Sequence, residues 1–339
     1  MPKMIDWEII HKLIADAKRI LLTTHENPDG DGLGCASAML HYLNGLKLET
    51  RIVCATELPK EYAFLSYAES VECYEPQIHD EWLATVDLVL VFDIGDFSRL
   101  RGIGQQILAN KIPTINIDHH VQTNNGQFNY NFIDLKAAAT GEMLYDFFKP
   151  LYPDSLPLPI AEGLYTAIIN DTGSFRYSNT TERCHEVAIE CIRVGIQPHK
   201  IYQNIYESNS IPRIKLLGLI LNTVQFDFNG ELAWFKIDQN MLIHCAAENS
   251  DVDGFTDYIR TIRGVEVAVM LYQNGANTCR INFRSKGKYN IQTVAQEMGG
   301  GGHPFAAGAV IDGNLDSVVP KVLEATIDSL QSQNNLQDL

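Results

Sequence analysis

The chain is poor in positive charge. Its 26 lysines and arginines face 42 aspartates and glutamates, for a formal net charge of −16 and an isoelectric point near 5.0. Gripping a long nucleic-acid backbone requires a basic surface for many phosphate contacts, so that class of protein is excluded. A short nucleotide held by a few residues and metal ions is not. Cysteine is also scarce: seven residues, scattered, odd in number and without a C-x-x-C pair. That pattern suits free thiols in a reducing cytosol, not a disulfide framework. No uncharged apolar run nears the roughly 20 residues of a membrane span. Asp6, Glu8 and Asp16 interrupt the apolar core that a signal peptide would need. A cytoplasmic protein without a membrane partner is expected.

What is present is ordinary globular material, 45% hydrophobic and 20% charged over 339 residues, enough chain for two domains. A helical period runs from Ile5 to Arg19, and "ILLTT" (20–24) follows as a short apolar run. Residues 33–46 are rich in helix formers. Residues 50–55, 86–93 and 113–118 are β-type runs, and helical patterns resume at 139–149, 159–170 and 182–194. Continuous apolar strands separated by helices predict an α/β fold, with a parallel sheet covered by helices on both faces. Residues 196–225 read as a linker that becomes a helix. Beyond it, strand patterns at 232–238, 265–273, 278–285 and 306–311, with a short helix at 293–298, predict a smaller α+β domain over 226–335. The first domain is then 1–195, and the tail "QSQNNLQDL" is expected to fray.

Ionisable residues gather at the ends of the apolar runs. "ILLTT" leads into His25, Asp29 and Asp31, in a stretch too rich in glycine to be expected in a helix. "VDLVLVF" ends in Asp93, "PTINI" ends in Asp118-His119-His120, and Asp171 follows a helical run. Any one cluster is ordinary turn chemistry. In an open parallel sheet, however, all carboxyl ends line one edge, where ligands bind. Carboxylates converging there would repel one another unless a cation lay among them. Mixed histidine and aspartate donors without cysteine point to Mn²⁺, Fe²⁺, Co²⁺ or catalytic Zn²⁺. The surplus of donors suits two ions sharing a carboxylate, an arrangement that clamps the oxygens of an in-line displacement at phosphorus. "DGDGLG" is not a calcium loop, since its fifth and twelfth positions are Leu33 and Leu40. "GGGGHPFAAG" (299–308) reads as a loop that lets backbone approach an anion, with His303 as donor or acceptor. It lacks the G-K-[ST] of a Walker A loop. Arg99 and Arg284 could each fork a phosphate.

"THENPDGDGLGCASAM", "FDIGDFSRL", "IDHHVQT" and "NDTGSF" resemble, in order, the four motifs of the DHH phosphoesterases. "GGGGHPFAAGA" with "INFRS" resembles the DHH-associated domain of one branch, so the resemblance covers nearly the whole chain. It implies a manganese-dependent phosphoesterase that degrades short oligoribonucleotides to mononucleotides and removes the 3′-phosphate of 3′-phosphoadenosine 5′-phosphate. By the same resemblance, His25 and Asp29 bind one Mn²⁺, Asp31, His119 and Asp171 bind the other, and Asp93 bridges them. His120 faces the scissile phosphate and Asp118 orients the histidines. Arg99, Arg284, Ser285, Gly300, Gly301, Gly302 and His303 hold the nucleotide. The family opening often carries Asp-His where this chain has Thr24-His25, which leaves the histidine ligand intact. Implied partners are short single-stranded oligonucleotides and nucleoside bisphosphates, with a homodimer left open. Other readings are a DHH-type pyrophosphatase, a cyclic-dinucleotide phosphodiesterase, and a nucleotide-binding or metal-sensing protein without turnover.

Overall fold

The structure is a computed structural model that describes residues 6–122 and 126–337. The chain divides into two units, Met1–Ser208 and Asn209–Leu339. The first holds β1 (Arg19–Thr24), β2 (Glu49–Cys54), β3 (Val71–Cys73), β4 (Leu88–Phe92), β5 (Thr114–Asp118) and β6 (Tyr130–Ile133). They form one sheet in the order β3-β2-β1-β4-β5-β6, with every neighbouring pair parallel. β4 reads LVLVF and is buried at every position, because helices cover both faces of the sheet. Ile20 and Leu22 enter one core with Leu90 and Ile117, while Leu21 enters the opposite core with Val89 and Val91.

The helix Gly30–Gly45 is buried along most of its length. It crosses the helix Leu158–Asp171 so closely that a Cβ on Gly34 would lie 2.3 Å from the Gly163 carbonyl oxygen. A Cβ on Gly163 would in turn lie 2.2 Å from the Gly34 oxygen. The two glycines are therefore a steric requirement of the crossing.

The second unit holds β7 (Gln225–Asp227), β8 (Leu232–Ile237), β9 (Val267–Gln273), β10 (Thr278–Ser285), β11 (Gly301–His303) and β12 (Ala306–Asp312). Their order is β11-β12-β10-β9-β8-β7. β8 and β9 pair in parallel, and the other neighbours are antiparallel. In β10, Cys279, Ile281, Phe283 and Ser285 are buried while the residues between them are partly exposed, the alternation of a strand with one dry face.

Several expectations need correction. The glycine-rich opening stretch is helical from Gly30 onward, because Asp29 caps it by accepting hydrogen bonds from the Asp31 and Gly32 N–H groups. Gly301–His303, expected in a loop, is a short edge strand paired with β12. The tail does not fray through Gln337: a helix runs from Leu315 to Gln337, and Gln333 and Asn334 bond to Asn290 and Tyr289. The segment 196–225 contains the helices Pro198–Tyr206 and Ile211–Leu221. No helix among the described residues is long and apolar enough to cross a membrane.

Candidate metal centre

The order of the first sheet reverses between β1 and β4, the kind of switch point at which parallel sheets bind ligands beyond their carboxyl ends. Thr24 lies beside Phe92 there, so the next residues, His25 and Asp93, leave the sheet together. His25 Nε2 lies 3.4 Å from Asp93 Oδ2 and 3.7 Å from Asp29 Oδ2. β5 is next along, and Asp93 donates its N–H to the Ile117 carbonyl. Asp93 has a φ of 57°, a left-handed conformation uncommon outside glycine and typical of strained functional positions.

Asp31 belongs to the first turn of the Gly30–Gly45 helix and is fully buried. Its carboxylate accepts the Thr140 N–H (2.6 Å) and the Gly141 N–H (2.9 Å) at the start of the helix Thr140–Phe148, a helix terminus that favours negative charge. Asp171 ends its own helix and brings Oδ2 to 2.9 Å from His119 Nε2. His119 Nε2 also lies 3.4 Å from Asp93 Oδ1 and 3.7 Å from Asp31 Oδ2. The other nitrogen of His119 sits 3.1 Å from the Ala137 carbonyl, which fixes the ring so that Nε2 is offered to the cluster. His120 Nδ1 is 2.7 Å from Asp118 Oδ1, and Gln122 donates to the second Asp118 oxygen at 2.6 Å.

Three groups of potential ligands result: His25, Asp29 and Asp93; Asp31, Asp93, His119 and Asp171; and Asp93, His119 and His120. Within each, the donor atoms lie within 4.8 Å of one another, and Asp93 belongs to all three. His120 contributes less to a metal site, because Nδ1 is engaged by Asp118. Two buried atoms at the centre, Asp93 Oδ1 and His119 Nε2, make no hydrogen bond among the described residues. Orphaned donors of this kind, in an all-oxygen and imidazole set, fit divalent cations.

Protonation behaviour carries the same message. Burial, followed by the charges of Asp93 and Asp171, pushes the Asp31 carboxyl well above its ordinary range. Burial also raises Asp171. Burial alone would lower the histidines, but their aspartate partners prevail: His25 and His120 rise to about 10 and His119 to about 12. Asp93, despite its burial, is held well below the usual carboxylate range by the imidazoles of His119, His120 and His25 that face it. Without a cation, the cluster balances its charge with protons.

The remaining expected residues lie elsewhere. Arg99 places Nη2 2.9 Å from His25 Nδ1 and 3.5 Å from the Glu26 carbonyl, behind the imidazole. In the second unit, Arg284 lies 3.5 Å from Asp257, and the buried Ser285 hydroxyl accepts the Gly287 N–H. Backbone register runs Arg284, Ala306 and His303 across three adjacent strands; the His303 side chain is outside the described residues. A Cβ on Gly300 would lie 2.1 Å from the Gly308 oxygen and one on Gly302 2.5 Å from the Ala306 oxygen, whereas Gly301 has open space. The sequence reading missed the Thr140 and Gly141 N–H groups, Gln122, and the side chains of Asn170, which bonds to Asp171, and Tyr62, which bonds to Asn170. Only the helix start near 139 and a glutamine four residues after Asp118 hinted at the first two.

Residues 19–168 match the DHH family, N-terminal domain, and residues 238–332 match the DHHA1 domain. A bifunctional oligoribonuclease and PAP phosphatase NrnA from Thermus thermophilus is 30% identical over 330 residues, covering 96% of this chain and 95% of that protein. The chain belongs to the DHH family. Among solved structures, an exopolyphosphatase-related protein from Bacteroides fragilis shares the fold of this DHH chain with a TM-score of 0.90 at 21% identity, over 98% of this chain and 97% of the other. The exonuclease RecJ bound to manganese shares it with a TM-score of 0.51 at 15% identity, over 95% and 93% of the two chains. Every DHH motif residue named above for metal binding falls within the three ligand groups.

Proposed function

We propose that this chain is a two-metal phosphohydrolase that releases mononucleotides from short oligoribonucleotides and removes the 3′-phosphate of 3′-phosphoadenosine 5′-phosphate, with manganese as its metal. The observation that carries the reading is the sharing of Asp93 between two sets of ligands. The named activity of the Thermus thermophilus relative supports the substrates, and the manganese of the RecJ structure agrees with the donor chemistry.

His25, Asp29 and Asp93 would hold one ion, and Asp31, His119, Asp171 and Asp93 the other. When bound, such ions polarise phosphoryl oxygens, activate water and neutralise developing charge. The chain itself supplies alignment. Ala137 holds His119 by Nδ1, and Thr140 and Gly141 hold Asp31, so little rearrangement is required as the phosphate reacts. His120 keeps a proton at Nδ1 against Asp118 and is the group assigned to the scissile phosphate. We assign the chemistry to a domain spanning 1–195. Nucleotide contacts fall to Arg99 and to Arg284, Ser285 and Gly300–His303 of a domain spanning 226–335, with 196–225 between.

The test is turnover of a 5′-labelled RNA trimer and of 3′-phosphoadenosine 5′-phosphate, side by side, with and without Mn²⁺. Metal-dependent release of mononucleotides from the trimer is expected. Silence on both substrates, with hydrolysis of pyrophosphate or a cyclic dinucleotide, would overturn the assignment.

A further inference from the structure

The geometry points to Tyr62 and Asn170 as a positioning relay that fixes the Asp171 carboxylate for its ion, an inference that rests on the two-ion reading above. Asp171 has two oxygens, and only Oδ2 lies against His119, at 2.9 Å. The other, Oδ1, accepts a hydrogen bond from Asn170 Nδ2 at 3.0 Å. Asn170 Oδ1 in turn accepts the Tyr62 hydroxyl at 2.7 Å. The amide has one workable orientation, because turning its oxygen toward Asp171 would oppose two acceptors. Tyr62 secures that orientation from the far end.

The relay also reaches the other ligand segment. Gly30 stands between Asp29 and Asp31, and a Cβ there would lie 2.9 Å from Asn170 Cβ and 3.0 Å from Tyr62 Cε1. The Tyr62–Asn170 pair is thus packed against the backbone that carries two carboxylates while it bonds to a third. Tyr62 comes from a short 3₁₀ turn, Lys60–Tyr62, and is 5% exposed. A phenylalanine would fill the same space, so the hydroxyl is explained by its partner Asn170. On the main-chain side, Asn179 Nδ2 bonds to the Asp171 carbonyl at 3.0 Å. Both ends of the ligand residue are therefore anchored.

The experiment is a count of bound Mn²⁺ by equilibrium dialysis and electron paramagnetic resonance, on the full-length wild type, Tyr62→Phe and Asn170→Asp. Wild type should bind two ions. Tyr62→Phe should weaken one of them by about tenfold, the lower end of what losing a ligand's hydrogen-bond partner costs, and leave the other unchanged. Asn170→Asp, which replaces the donor with a carboxylate, should weaken the same ion further. Turnover number should fall in both, with KM for the RNA trimer unchanged. Two ions held with wild-type affinities in both variants would overturn the relay, as would equal weakening of both ions, which marks general loosening. If Tyr62→Phe does not fold, Asn170→Asp decides alone. A wild type that binds fewer than two ions would overturn the two-ion reading instead.

Discussion

Two glycine-rich stretches, 29–34 and 299–303, look alike on paper, and both suggest loops. The first is a helix start and the second an edge strand. In the first, each glycine meets a close neighbour: a Cβ on Gly32 would lie 2.1 Å from Thr24 Oγ1, and one on Gly34 would strike the Gly163 carbonyl. Of the two acids interleaved with those glycines, Asp31 is fully buried, while Asp29 stays partly exposed. In the second, Gly300 and Gly302 are confined by β12, Gly302 with a φ of 132°, while Gly301 faces open space. In both stretches most glycines mark where another part of the chain comes close to the backbone, and Gly299 and Gly301 are the exceptions.

The sharpest way to break the comparison is to remove the acid that serves the first stretch. Asp93→Ala should lower turnover of the RNA trimer on the order of a thousandfold, well past the 10–100-fold cost of losing a ligand's hydrogen-bond partner. Chelation by EDTA should match it and be reversed by Mn²⁺. Retention of a tenth of wild-type rate would place the chemistry elsewhere. A smaller effect separates the glycines. Gly34→Ala and Gly302→Ala should each destabilise the protein by roughly 1–3 kcal/mol through overpacking, read from denaturant midpoints. Gly301→Ala should stay within about 0.5 kcal/mol yet raise KM several-fold if its backbone approaches phosphate. The smallest signal is a proton count. Because their aspartate partners push His25 up to about 10 and His119 up to about 12, both should carry protons at neutral pH that a cation must displace. Metal uptake should release protons and tighten as pH rises toward 10, measurable by calorimetry in buffers of different ionisation enthalpy.

The first sheet was legible where burial on both faces left uninterrupted apolar runs, as in β4. It was illegible at β6, where Tyr130 and Asn131 are exposed and carry no such pattern. The helix start at Gly30 escaped notice because glycine is a poor helix former and the Asp29 cap outweighs that preference. The edge strand Gly301–His303 was hidden because its pairing is wholly main-chain and glycine weakens strand propensity. The residues of the three candidate ligand groups were legible as residue types near the ends of strands and helices. Their supports were not: Thr140 and Gly141 act through N–H groups that any residue could supply, and Tyr62 reaches Asn170 across 108 positions.

The interlocked pair Gly34–Gly163 also bears on synthesis. The helix that ends in Asp171 must seat against the helix that begins beside Asp29 before the carboxylates converge. A chain emerging from the ribosome up to residue 160 already contains β1, β4 and β5, yet it lacks both Gly163 and Asp171. Nascent chains of that length would carry an incomplete centre, so the capacity to cut RNA would arrive only after most of the first unit had been made.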